Sequence, residues 1–124
     1  MKTANEIDEF VKLIIQFGKA LTDINELSKK KPNDAVNKFK LKFVNTLLNT
    51  ANKIIDDKNK PFDSFEVFDE DDLPSNSDVV LILSQYLACL KKFGKEQTQY
   101  SDYKYYWVLN GKRTNISVDI NLLN

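Results

Sequence analysis

Histidine is absent from this 124-residue chain. That absence removes the usual general base near neutral pH, the Ser-His-Asp and Cys-His arrangements, and every histidine-based zinc site. Cys89 is the only cysteine, so neither an internal disulfide nor a thiolate metal cluster can form. Arg113 is the only arginine, which argues against bidentate recognition of bases or phosphates as a main activity. Three glycines and three prolines leave little room for structureless linkers. Uninterrupted apolar runs such as Val79–Leu83 fall far short of the ~20 residues of a membrane span. The opening Met-Lys-Thr-Ala-Asn-Glu-Ile-Asp-Glu carries acids where a signal peptide carries its apolar core. These absences point away from an enzyme and towards a cytoplasmic protein without cofactor or metal.

What remains is ordinary in bulk and unusual in arrangement. The 42% hydrophobic and 29% charged shares are those of a soluble globule, and the length suits one domain spanning residues 1–124. Lys plus Arg and Asp plus Glu balance at 18 each. The charges are nevertheless sorted along the chain. Asp63, Glu66, Asp69, Glu70, Asp71, Asp72 and Asp78 follow one another with no Lys or Arg among them, whereas Lys29–Lys60 is rich in lysine. Such segregation is expected to present one negative surface to something positive.

Three amphipathic helices and a hairpin are legible. Thr3-Ala4-Asn5-Glu6 has the form of a capping box, followed by helical apolar spacing from Ile7 to Ile24, and predicts a helix over 4–28. Gly18, beside that face, suggests a close helix crossing. Pro32-Asn33-Asp34 suits the first turn of a helix over 34–57. Its apolar stripe is Val36, Phe39, Phe43, Leu47, Ala51 and Ile54, widened by Val44, Leu48 and Ile55, with Lys38, Lys42, Asn45, Asn49 and Lys53 on the wet side. Ser75-Asn76-Ser77-Asp78 caps a third helix over 76–93, with Gly94 at the C-cap position. Asn110-Gly111 then marks a hairpin over 103–118. A two-residue turn pairs Leu109 with Lys112, Trp107 with Thr114, Tyr105 with Ile116 and Tyr103 with Val118. That register turns Tyr103, Tyr105, Trp107, Ile116 and Val118 inward, and leaves Tyr106 outside near Arg113. The expected fold class is α+β, a three-helix bundle-like domain with a C-terminal antiparallel β-hairpin packed on it.

The acidic stretch admits several readings. A calcium loop needs alternating oxygen ligands and a glycine at its sharp turn, and Asp69-Glu70-Asp71-Asp72-Leu73-Pro74 has neither. A catalytic carboxylate pair needs one member in an apolar pocket, whereas four consecutive acids suit water. A solvated loop and a protein-binding face both remain, with Phe62, Phe65, Val67 and Phe68 expected to pin the segment to the body. The lysine-rich second helix, with Tyr106, could instead meet nucleic acid. Cys89, on a helix flank near Tyr86, fits a small core residue better than a reactive thiol.

Phe68-Asp69-Glu70-Asp71-Asp72-Leu73-Pro74-Ser75-Asn76-Ser77-Asp78-Val79-Val80 runs into Leu81-Ile82-Leu83-Ser84-Gln85-Tyr86-Leu87, with Tyr106-Trp107-Val108 later. In this order the chain resembles immunity proteins of bacterial contact-dependent growth inhibition systems. The resemblance covers Phe65–Phe93 and the Tyr-Trp strand. It implies a small cytoplasmic protein that binds and blocks the toxin domain of its own system, commonly a nuclease, without touching nucleic acid or membrane itself. The Leu73-Pro74 turn and the Ser-Asp helix start would be architectural. Glu66, Asp69, Glu70, Asp71, Asp72, Asp78 and Tyr106 are the candidate contacts. An inhibitor bearing a row of carboxylates can occupy a phosphate-binding field and is steered to it. A phage-type inhibitor of a host nuclease would use the same physics.

Overall fold

Thr3 opens α1 (Ala4–Lys30) by accepting the Glu6 amide on its hydroxyl at 3.2 Å. Glu6 reaches back to the Lys2 amide at 3.3 Å, one residue before the cap expected for it. In the computed structural model, which describes residues 1–124, α2 (Lys38–Ile54) and α3 (Asn76–Glu96) follow. An antiparallel sheet of β1 (Thr98–Ser101), β2 (Lys104–Leu109) and β3 (Lys112–Ser117) then completes an α+β fold in the order β1-β2-β3. A short 3-10 turn, Ile120–Leu123, returns the chain to the helices. No helix is long and apolar enough to cross a membrane.

α1 packs mainly on α3, because both present apolar side chains at helical spacing. Ile7, Phe10, Ile14, Phe17 and Ile24 of α1 meet Val79, Leu83, Tyr86 and Leu90 of α3 in one continuous core that also takes Trp107 and Leu123. Each fully buried large side chain contributes ~1.5–3 kcal/mol relative to exposure.

The second helix departs from its expected form. It begins at Lys38, capped by the Asn37 side chain, and not at Asp34. Before it Pro32–Asp34 turn, and Ala35 bridges to Ser75 of another loop, so backbone pairing displaces the helix there. Val36 is still buried, although outside the helix. The buried stripe is Leu41, Val44, Leu47, Leu48 and Ala51, and it includes Asn45. Phe39 and Phe43, assigned inward from their spacing, are 81% and 46% exposed. Asn45, assigned to the wet side, is buried.

The glycines also differ from expectation. Nothing lies within 4 Å of a Cβ built on Gly18, so it marks no helix crossing. Gly94 ends no helix, since α3 continues to Glu96. It is buried, and an added Cβ would stand 2.7 Å from Leu123 Cδ2 and 2.9 Å from Phe10 Cε1. Gly94 is where the C-terminal turn and α1 close on α3.

The Asn110-Gly111 turn has φ of 52° and 76°, the left-handed pair that a two-residue hairpin turn requires. Leu109 faces Lys112 as expected, and Val108 faces Arg113. Beyond them the register shifts, and Tyr106 faces Ser117. Thr114 to Ile116 thus bulge against Trp107 alone. The Thr114 hydroxyl donates to the Trp107 carbonyl at 2.7 Å and accepts the Ile116 amide at 3.1 Å, which stabilises the bulge. The expected Tyr105–Ile116 and Tyr103–Val118 pairs are therefore replaced, and the Val118 amide donates to the Tyr105 carbonyl at 2.9 Å. Only Trp107 of the expected inward face is fully buried, while Tyr103, Tyr105 and Ile116 are exposed. β1 is the reason for Tyr103. The tight Asp102-Tyr103 turn joining β1 to β2, with φ of 52° and 67°, carries Tyr103 out of the strand.

Candidate acidic binding face

The carboxylate segment lies between α2 and α3, and α2 grips its backbone. Asn45 donates from Nδ2 to the Phe68 carbonyl at 2.9 Å and accepts the Phe68 amide on Oδ1 at 3.0 Å. One side-chain amide thus supplies the donor and acceptor that a neighbouring strand would offer. Seven residues on, and so on the same helix side, Asn52 donates to the Glu66 carbonyl at 2.9 Å. Asn52 is itself held by the buried Tyr86, whose hydroxyl donates to Asn52 Oδ1 at 2.8 Å. Buried polar groups cost little when paired in this way.

Aromatic packing reinforces the grip. Phe65 meets Phe62, Phe68 and Tyr86 edge-on, at centroid distances of 6.3, 5.1 and 6.3 Å. Tyr86 in turn stacks on Phe17 of α1 at 6.4 Å. The expected anchoring by Phe62, Phe65 and Phe68 is present, whereas Val67 is exposed. At its far end the segment is tied to the α1–α2 connection. The Val36 amide donates to the Pro74 carbonyl at 2.8 Å, and the Asn76 amide to the Asp34 carbonyl at 2.9 Å. Ser75 then caps α3 by accepting the Asp78 amide at 3.2 Å.

On this frame Glu66, Asp69, Glu70, Asp71 and Asp72 come together, all exposed except the partly covered Glu70. Asp69 shapes the tip: its carboxylate accepts the Asp71 amide at 2.9 Å and its carbonyl accepts the Asp72 amide at 3.3 Å. Asp78 is exposed in the first turn of α3, where the helix dipole favours it. None of these acids forms an ion pair. The three pairs in the molecule join Lys29 to Glu26, Lys58 to Glu96 and Lys60 to Asp57, so the lysines nearest in sequence are engaged elsewhere. No three acidic or cysteine side chains converge closely enough to hold a metal ion.

Tyr106 does not join this face. It sits on the sheet with the Arg113 guanidinium 4.9 Å above its ring, a cation–π contact. The sheet meets α1 near Phe10, where Trp107 packs, while the acidic segment reaches α1 through Tyr86 at Phe17. Seven helical residues separate those levels by ~10 Å. Cys89 is half-buried against the core, and burial raises its thiol pKa while Lys92 partly offsets the rise. A protonated thiol is a poor nucleophile.

Sequence reading missed Asn45, Asn52 and Tyr86 as the residues that hold the segment. The available signal was a pair of asparagines seven apart beside the leucines of α2. Comparison with known proteins finds no matching family model, and no significant match among curated proteins or solved structures.

Proposed function

We propose that this protein is a binding module that neutralises a basic partner by docking its acidic face on it. The resemblance carried by the same segment points to the toxin domain of a contact-dependent growth inhibition system as that partner, and a nuclease matches best because such a site concentrates lysine, arginine and backbone amides. One observation supports this most directly: an ordered row of carboxylates is held by backbone bonds to Asn45 and Asn52 while none of its charges is ion-paired in the molecule. A cationic surface would supply the opposite charges that the row lacks within its own chain. Long-range attraction would also speed encounter, with strong dependence on salt.

The test replaces Asp69, Glu70, Asp71 and Asp72 together with serine. Folding stability should stay within about 0.5 kcal/mol, because exposed charges contribute little. Association with a nuclease toxin domain should slow and lose much of its salt dependence, and cells producing the toxin should lose protection. A folded quadruple variant that binds and protects like the parent would leave the acidic row as a solubility feature.

A further inference from the structure

Phe39 and Phe43 stand one helical turn apart on α2 and expose most of Phe39 and nearly half of Phe43 to water. They border a groove of about 480 Å³ between α1 and α2, floored by Ala20, Ile24 and Val44. Lys19 and Lys40 line its rim, and Lys38 and Lys42 flank the phenylalanines along the helix. None of these four lysines is ion-paired in the molecule; Asp23 is the one acid on the rim. A pair of exposed aromatic rings among unpaired cations fits a surface of opposite character, with apolar side chains set among carboxylates.

The chain itself displays such a surface. Val67 and Leu73 are exposed on the acidic segment, between Glu66 and Asp69 and beside Asp72. The two surfaces cannot meet within one molecule. Asn45, which holds the acidic segment, is two residues from Phe43 and so ~200° around α2 from it. The match is available only between copies. We propose that the Phe39–Phe43 groove of one copy receives the Glu66–Leu73 segment of another. The contact joins two different patches, so it is head-to-tail and builds chains or rings, not a two-fold dimer. It occupies the same carboxylates that a basic partner would use, so partner binding and self-assembly compete. The inference stands without the toxin reading, because it concerns one chain alone.

Light scattering or sedimentation on the purified protein tests it, over a concentration series up to about 1 mM, the weak end of specific association. The average mass should rise above the 14.3 kDa monomer with concentration, and fall back in about 1 M salt, where charges are screened beyond ~3 Å. Phe39→Ser, at a largely exposed position, should reduce assembly at least tenfold, as should the quadruple serine variant of Asp69, Glu70, Asp71 and Asp72. Each variant alone lacks one of the two surfaces, yet one retains the segment and the other the groove. Mixed, they should form a 1:1 complex. A parent that stays monomeric throughout overturns the proposal. So does a parent that assembles while the mixed variants, each with its normal melting profile, do not pair.

Discussion

Phe10 of α1 and Trp107 of β2 meet edge to face, with centroids 5.9 Å apart and planes at 83°. Phe93 approaches the same Phe10 ring at 5.7 Å, so one α1 side chain joins the sheet to α3. Trp107 is the one residue of the sheet buried completely enough to secure it. Trp107→Ala should therefore cost ~3–5 kcal/mol in chemical denaturation. Tyr103→Ala, at a position 93% exposed, should stay within about 0.5 kcal/mol. A loss below about 1 kcal/mol at Trp107 would mean that the sheet is not anchored through it.

Two glycines in helices should respond to alanine with opposite signs. At Gly18 the new methyl meets nothing within 4 Å, so helix propensity alone acts and stability should rise by ~0.5–1 kcal/mol. At Gly94 the methyl would collide with Leu123 and Phe10, and the overpacking cost of ~1–3 kcal/mol should exceed the propensity gain. Melting curves of the two single variants decide it, and equal shifts would contradict the packing described at Gly94.

Asn45→Leu removes both partners of the Phe68 backbone at once. Leaving that amide and carbonyl without them should cost ~2–4 kcal/mol. The loss should be concentrated in the acidic segment, seen as faster amide exchange over residues 66–72 before any change in the α1–α3 core. Uniform acceleration across the chain would show that Asn45 supports the whole fold and not the segment.

Alkaline pH should weaken the fold through two groups. Burial raises the Cys89 thiol above its ordinary 9.0 and the Tyr86 hydroxyl above its ordinary 10.0, with the charge of Glu66 adding to the rise at Tyr86. Each holds its proton more tightly in the folded than in the unfolded state. Their contribution is complete below the ordinary values and is lost as pH rises through the raised folded ones. Urea denaturation from about pH 7 to about pH 10.5 should show declining stability. Cys89→Ala should flatten the earlier part of that decline, and an unchanged profile would exclude the thiol as a source. Tyr86→Phe should also lose ~1 kcal/mol at neutral pH through its bond to Asn52.

The elements most legible in the sequence are those whose signals are periodic or confined to a turn. The spacing from Ile7 to Ile24 and from Val79 to Leu90 located α1 and α3, and Asn110-Gly111 located the hairpin turn. What escaped depends on contacts between distant segments. Thr98–Ser101 has no apolar alternation and pairs because β2 offers an edge. The register shift at Trp107 rests on a hydroxyl bond from Thr114, which no turn rule foretells. Asn45 carries a polar side chain, so helical patterning assigns it to water, and only the arrival of Phe68 gives it a buried partner. Phe39 and Phe43 match the period of an apolar face, yet α1 leaves them uncovered. For the candidate site, the acids themselves were plain from composition, while the frame that presents them was not.

That frame has an evolutionary consequence. Asn45 and Asn52 bind carbonyl and amide groups of Phe68 and Glu66, which every residue type except proline supplies in full. The side chains of Glu66, Asp69, Glu70, Asp71 and Asp72 take no part in those clamps. Apart from Asp69, whose carboxylate also shapes the tip, mutation can rewrite the charge and shape displayed there while the loop keeps its path. Substitutions at Glu66, Glu70, Asp71 and Asp72 can therefore accumulate one codon at a time without passing through an unfolded intermediate.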